Sequence, residues 1–325
     1  LILISSRSFF SCSMAAKPEK FVYWLASFAA LNSINLGYDI GVNSGVGLHL
    51  QEGSLGLSDL QVEAFMGAFQ WASVVGALSA SGVSDVVGRR GTFALAACSF
   101  IVGIVWTVSS QNFGELLGGR AVMGLGVGFG LAIDPLYIAE VSPPAFRGQL
   151  VTWSETATNV GILLGFFSGF ATRHMEDNDA WRLMLSLGII LPVVLLVLVS
   201  TVMPESPRWL VKVGRVAEAE AVLVKCNAPG EDIKALVESI KQDIKDTEGS
   251  LGEFYPEEHE SGIGGAPGSG AGGSAEAGSQ KNANVTWWEL LCGSSAAVKR
   301  MLVVGVGVAA AQQTTGIESI QYYIL

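Results

Sequence analysis

The stretch FVYWLASFAALNSINLGYDIGVNSGV, residues 21–46, carries one charged side chain, Asp39, in a run of apolar and small residues. A helix needs about 20 such residues to cross roughly 30 Å of hydrocarbon, and this run exceeds that length. Six further runs of the same character follow, over residues 62–83, 92–108, 115–138, 150–171, 183–203 and 301–325. Each is rich in Gly, Ala and Ser, which let helices approach closely in lipid, where no hydrophobic effect drives them together. The fold class these runs predict is all-α: a polytopic membrane protein.

Composition points the same way. Half of the 325 residues are hydrophobic and 15% are charged, whereas a soluble domain carries roughly 25% charged residues. The glycines follow no three-residue period, and apolar residues are too abundant for a disordered chain. Eleven carboxylates against four lysines between residues 227 and 286 place −7 of the −10 net charge in one segment, so the remainder is close to neutral. The four cysteines, Cys12, Cys98, Cys226 and Cys292, have neither metal-ligand nor redox spacing and are expected as free thiols.

Orientation follows from the loops. Lys17, Lys20, Arg89, Arg90, Arg147, Arg208, Lys212 and Arg215 fall on one side of the helices, which is therefore expected to be cytoplasmic. The alternate loops hold mainly acids. The predicted organisation is a cytoplasmic tail over 1–20, a six-helix bundle over 21–203, a cytoplasmic helical and Gly/Ser-rich loop over 204–300, and a seventh helix over 301–325 that begins a second bundle. Within the loop, residues 208–225 and 231–246 have helical character, and residues 261–279 have linker composition. The chain begins without methionine and ends inside an apolar run, which reads as a fragment that does not transport alone. The sequon at Asn284 lies in the cytoplasmic loop and is expected to be unused.

Ionisable residues inside spanning helices are costly and are candidates for function. They are Asp39, Arg120, Asp134, Glu155 and Glu318. Asp39 lies about 27 Å along the first helix at 1.5 Å per residue, and Arg120 falls at a comparable depth on the fourth. At that depth they can form either a static ion pair or one in which protonating Asp39 releases Arg120. Glu155 and Asn159, spaced i, i+4, share a helix face. With Gln312, Gln313 and Glu318 they suit a polyhydroxylated ligand, whose hydroxyls each donate and accept; the alternative is interhelical hydrogen bonding alone. His49, His174 and His259 fall in expected loops with no nucleophile or metal spacing, so neither an enzyme nor a metal site is expected. The glycines near Arg120 resemble a dinucleotide fingerprint, but no strand precedes them, and no nucleotide or nucleic acid is expected.

Six motifs then stand in order: Gly37-Tyr38-Asp39-Ile40-Gly41-Val42; Asp85 to Gly88-Arg89-Arg90; Gly119-Arg120 with Gly124, Gly126 and Gly128; Pro135-x-Tyr137-x-x-Glu140 running to Arg147-Gly148; Pro204-Glu205-Ser206-Pro207-Arg208-Trp209-Leu210; and Gln312-Gln313-x-x-Gly316-Ile317. In these the chain resembles the sugar porter branch of the major facilitator superfamily, from residue 21 onward, as the first seven of twelve helices. The acids at Asp39, Glu155 and Glu318 make it most similar to plant polyol and monosaccharide proton symporters.

The resemblance implies that Asp39 couples to protons with Arg120 as its partner. It implies a substrate site lined by Glu155, Asn159, Gln312, Gln313 and Glu318, and a cytoplasmic gating network of Asp85, Arg89, Arg90, Glu140, Arg147, Glu205 and Arg208. The proton is the coupling ion, no other cofactor is expected, and the partners are a sugar or polyol and the lipid bilayer, with no obligate protein partner. A plasma membrane location is expected ahead of a vacuolar or plastid one. A facilitative uniporter and a transporter-like sugar sensor are the competing readings. Three positions depart from the family pattern. Val86 replaces a usual cation, Glu318 lengthens a presumed ligand contact, and Asp134 is expected in a wet vestibule near the cytoplasmic end, ahead of pairing with an arginine or forming a second protonatable site.

Overall fold

The computed structural model describes residues 20–53, 55–143, 146–226 and 232–254, with side chains through residue 245. The expected seventh helix, with Gln312, Gln313 and Glu318, lies outside the described residues, as do Asn284, the linker over 261–279, Cys12, Cys292 and His259. The described fold is that of a first compact unit through residue 241. Of a second unit, which starts at residue 242, only the C-terminal part of one helix is described.

All described regular structure is helical: α1 (Lys20–Glu52), α2 (Asp59–Ser109), α3 (Phe113–Val141), α4 (Arg147–Thr172), α5 (Asp177–Leu187), α6 (Ile190–Thr201), α7 (Pro207–Lys212), α8 (Val216–Cys226) and α9 (Ile233–Phe254). The stretches Asp59–Ser109, Phe113–Val141 and Asp177–Thr201 are long and apolar enough to cross a membrane. At 33 and 26 residues, α1 and α4 also have the length, with a more polar composition. Trp71, Val75, Leu163, Phe167, Phe170 and Val197 are exposed, as lipid-facing side chains are.

Two boundaries differ from the sequence expectation. Residues 62–83 and 92–108, expected as separate helices, fall in one continuous assignment broken at Gly88, where φ is 87° and ψ is 170°. The break is a reversal of chain direction. Gly76 of the first arm approaches Leu125 and Gly128 of α3, while Gly103 of the second arm approaches Gly119 and Met123 of the same helix. Both arms therefore flank α3, with Phe69, Phe100, Ile104, Met123 and Val127 packed between them. The other difference is the expected helix over 183–203, which divides into α5 and α6 around Gly188. Pro192 has no N–H to give the Gly188 carbonyl, so the ladder is interrupted there.

The closest helix pairs are α1 with α4 and α2 with α3. On α1, Gly37 and Gly41 lie against the α4 backbone at Thr158 and Ile162; on α4, Gly161 and Gly165 lie against the α1 backbone at Ile34, Tyr38 and Gly41. Glycines four apart share a helix face and bring the two backbones together. The Tyr38 hydroxyl donates to the Met184 carbonyl at 2.6 Å, tying α5 to this pair. Cys98 and Cys226 are free thiols, and burial pushes Cys226, outside the spanning helices, up to about 12.

The turn at Gly88 depends on its residue. Its backbone falls in a region essentially confined to glycine, worth about 1–3 kcal/mol of strain for any other residue. A Cβ there would also collide with the Glu205 carboxylate. Gly88→Ala is expected to lower the thermal unfolding midpoint of the purified chain clearly, whereas Gly148→Ala, which meets open space, leaves it near wild type. Equal midpoints for the two variants would contradict this account of the turn.

Candidate functional site

The structure brings Asp39 and Arg120 together. Arg120 donates from Nη1 to Asp39 Oδ1 at 2.5 Å and from Nη2 to Asp39 Oδ2 at 3.0 Å, a two-pronged pair between α1 and α3. Both residues are buried, Arg120 fully. Asn43, one turn beyond Asp39, accepts from Arg120 Nη2 at 2.8 Å and donates to Asp39 Oδ2 at 3.3 Å. The guanidinium carbon lies 4.5 Å from the Phe65 ring centroid and 4.7 Å from that of Phe69. An arginine cannot shed its proton inside a protein, so burying it requires this enclosure of carboxylate, amide and two π-faces. Asn43, Phe65 and Phe69 were not expected from sequence; the i, i+4 spacing from Asp39 is the signal that points to Asn43.

A second constellation holds the Lys/Arg-rich end together. Arg89 donates from Nε and Nη2 to the two carboxylate oxygens of Glu140 at 3.0 and 2.9 Å. Both side chains are buried, at 9% and 5% exposure, and a forked pair of this kind fixes orientation as well as charge. Arg89 also reaches Asp85 at 3.4 Å. Asp85 takes a further cation from Lys212 of α7 at 3.1 Å, while the neighbouring Val86 is exposed. Trp209 donates from Nε1 to the Asp85 carbonyl at 3.0 Å.

Four members of the expected network differ from a simple ion-pair ring. The Glu205 carboxylate accepts the backbone N–H groups of Arg89 at 2.8 Å, Arg90 at 3.1 Å and Ser206 at 2.9 Å. It caps the first turn of the second α2 arm, where helical N–H groups have no partner of their own. Arg90 directs its guanidinium to the Val199 and Ser200 carbonyls at the end of α6 instead of to an acid. Arg147 and Arg208 are exposed, with no ion-pair partner among the described residues.

Two further expectations are corrected. Asp134 does not sit in a wet vestibule but is buried, at 2% exposure, between α3 and α1. It lies on the buried stripe Met123, Val127, Gly130, Asp134, Tyr137 and Val141, whose alternating spacing of four and three residues faces the bundle interior. His49 is not in a loop: it lies in the last turn of α1, with Nδ1 2.7 Å from Asp177 Oδ1 at the start of α5. Glu155 and Asn159 of α4 are both exposed, and the contact between them runs from Asn159 Nδ2 to the Glu155 backbone carbonyl at 2.9 Å. Among the described residues no cluster of His, Cys, Asp and Glu could hold a metal ion.

Helices that cross a membrane several times, packed through glycines around a buried ion pair, define the chain as a multi-pass membrane protein of the major facilitator fold. The family model described as Sugar (and other) transporter matches residues 25–259, and the chain belongs to that family, one of transporters and not of enzymes. It is 37% identical over 308 residues to Probable polyol transporter 4 of Arabidopsis thaliana, covering 95% of this chain and 52% of that protein. It is 32% identical over 305 residues to the Proton myo-inositol cotransporter of Homo sapiens, covering 93% and 41%. Among solved structures, the proton:xylose symporter XylE of E. coli bound to 6-bromo-6-deoxy-D-glucose superposes with a TM-score of 0.66 at 26% identity, over 72% of this chain and 55% of that one. The chain spans about half the length of these relatives.

Proposed function

We propose that this chain forms the first bundle of a proton-coupled symporter for a polyol or monosaccharide, working by alternating access in the plasma membrane. The observation that carries the reading is the buried, two-pronged Asp39–Arg120 pair. A carboxylate facing a permanent cation in low dielectric holds charge only while the pair is intact. A proton arriving at Asp39 removes its charge, and Arg120 then keeps only Asn43 and the two phenyl faces, so one proton changes what holds α1 to α3. The names of a polyol transporter, a proton myo-inositol cotransporter and a proton:xylose symporter among the relatives support both halves of the proposal.

Glu155 and Asn159, exposed on α4, would offer their polar groups to the substrate together with Gln312, Gln313 and Glu318. The Arg89–Glu140 fork and the Glu205 cap would hold the cytoplasmic end of this bundle rigid. The exposed Arg147 and Arg208 are free to meet acids of a second bundle and to part from them as the two rock. The test is uptake of labelled polyol by the full-length protein at a series of external pH values. Uptake is expected to rise as the outside is acidified and to lose its concentrating power when a protonophore is added. Uptake indifferent to both would replace symport with facilitated transport.

A further inference from the structure

Asp134 is a second buried carboxyl in a setting unlike that of Asp39. Its Oδ2 accepts from the Ser33 hydroxyl at 2.8 Å and from Asn32 Nδ2 at 3.3 Å, both on α1. Its Oδ1 has no hydrogen-bond partner among the described residues. The charged groups on the elements packed around it are engaged or remote. On α1, Asp39 lies about 9 Å away along the helix at 1.5 Å per residue and is bound to Arg120. On α3, Arg120 is bound to Asp39 and Glu140 to Arg89 of α2, and the Tyr137 hydroxyl donates to the Pro204 carbonyl; Arg147 and Glu155 of α4 are exposed. No ion pair to Asp134 forms among the described residues.

An ionised carboxylate buried without a counter-charge is among the costliest arrangements a protein can hold, and such a group takes a proton instead. Asp39 has a permanent cation against it; Asp134 has two neutral hydrogen-bonding groups and no cation among the described residues. We propose that Asp134, with Ser33 and Asn32, is a second proton-binding site, occupied in this conformation and lying toward the cytoplasmic end of α1 from the Asp39–Arg120 pair. The proton sits on the carboxyl as a neutral acid. Ser33 and Asn32 steady its Oδ2, and Oδ1 is the atom open to exchange when water enters between α1 and α3.

The Asn32 amide argues for a proton over a metal cation, since its nitrogen points at the carboxyl where a cation would need an oxygen. Gly130 makes the room: a Cβ there would collide with Asn32. The site deepens the proton path proposed above and rests on that reading for its role in transport. Its occupancy does not depend on transport and can be measured without it.

The test is infrared spectroscopy of the purified 325-residue chain in lipid at neutral pH, reading the carbonyl band of protonated carboxylic acids. The wild-type chain is expected to show such a band that is lost in Asp134→Asn, shifted to higher frequency in Ser33→Ala by loss of one hydrogen bond, and retained in Asp39→Asn. Identical spectra for wild type and Asp134→Asn would overturn the proposal, as would a band abolished by sodium ions alone. If Asp134→Asn does not fold, the shift in Ser33→Ala reads the same group, and its absence overturns the proposal equally. A failure of pH-driven uptake with this band present would sink the symport reading and leave the site standing.

Discussion

Asp39→Asn in the full-length protein is expected to reduce polyol accumulation to the equilibrium level while leaving exchange of labelled substrate at equal concentrations. Asparagine keeps the size of the side chain and one oxygen acceptor for the Arg120 fork, but it cannot bind or release a proton. It reproduces the neutral form of Asp39 through which the proposed cycle passes, so the bundle has to tolerate it. Asn43 at 2.8 Å and the faces of Phe65 and Phe69 still hold the guanidinium. With the proton step removed, substrate binding can drive the conformational exchange in either direction, but nothing biases it inward. Exchange and net accumulation measured on the same preparation decide the matter. A variant that still concentrates polyol under an inward proton gradient would move the coupling site elsewhere.

Arg120→Leu is expected to destabilise the bundle by about 3–5 kcal/mol, the usual cost of removing one partner from a buried pair. Leucine leaves Asp39 and Asn43, both buried, without the donor that satisfies them, and it takes the cation from between Phe65 and Phe69. The double variant Asp39→Asn, Arg120→Leu is expected to recover much of the loss. It buries no charge, and the introduced amide, one turn before Asn43 on the same helix face, can hydrogen-bond to that residue's amide. Denaturation of the purified chain in detergent measures both. A double variant no more stable than Arg120→Leu would show that the cost lies in packing and not in the stranded carboxylate.

Much of this was legible in the sequence because the bilayer permits few solutions. A run such as 21–46 has to satisfy its backbone internally, and that makes it a helix. Depth is equally readable, since 1.5 Å per residue places Asp39 and Arg120 on a common level, where the structure joins them. Azimuth is harder to read. Asp134 lies near a helix end, which suggests water, yet its spacing from Met123, Val127 and Gly130 puts it on the buried stripe. The same pattern is available in the sequence and outweighs nearness to the end.

Beyond the Asp39–Arg120 pair, long-range partners were harder to read. That Glu205 would cap the helix starting at Arg89, and not bind a guanidinium, depends on the reversal at Gly88. That reversal brings residues more than a hundred positions apart into contact. Lys212 was likewise hidden: it supplies a cation to Asp85 from a short helix that the loop positions, with Val86 exposed beside it. The spacing of Glu155 and Asn159 places them on one helix face, and both are exposed there.

The most direct measurement is of the proton itself: the pH of a weakly buffered medium outside vesicles holding the full-length protein, recorded as polyol is added. The account predicts that the medium turns alkaline on addition, that the change saturates with polyol concentration, and that it is absent in Asp39→Asn. Polyol entry into the wild-type vesicles with no change in external pH would contradict it.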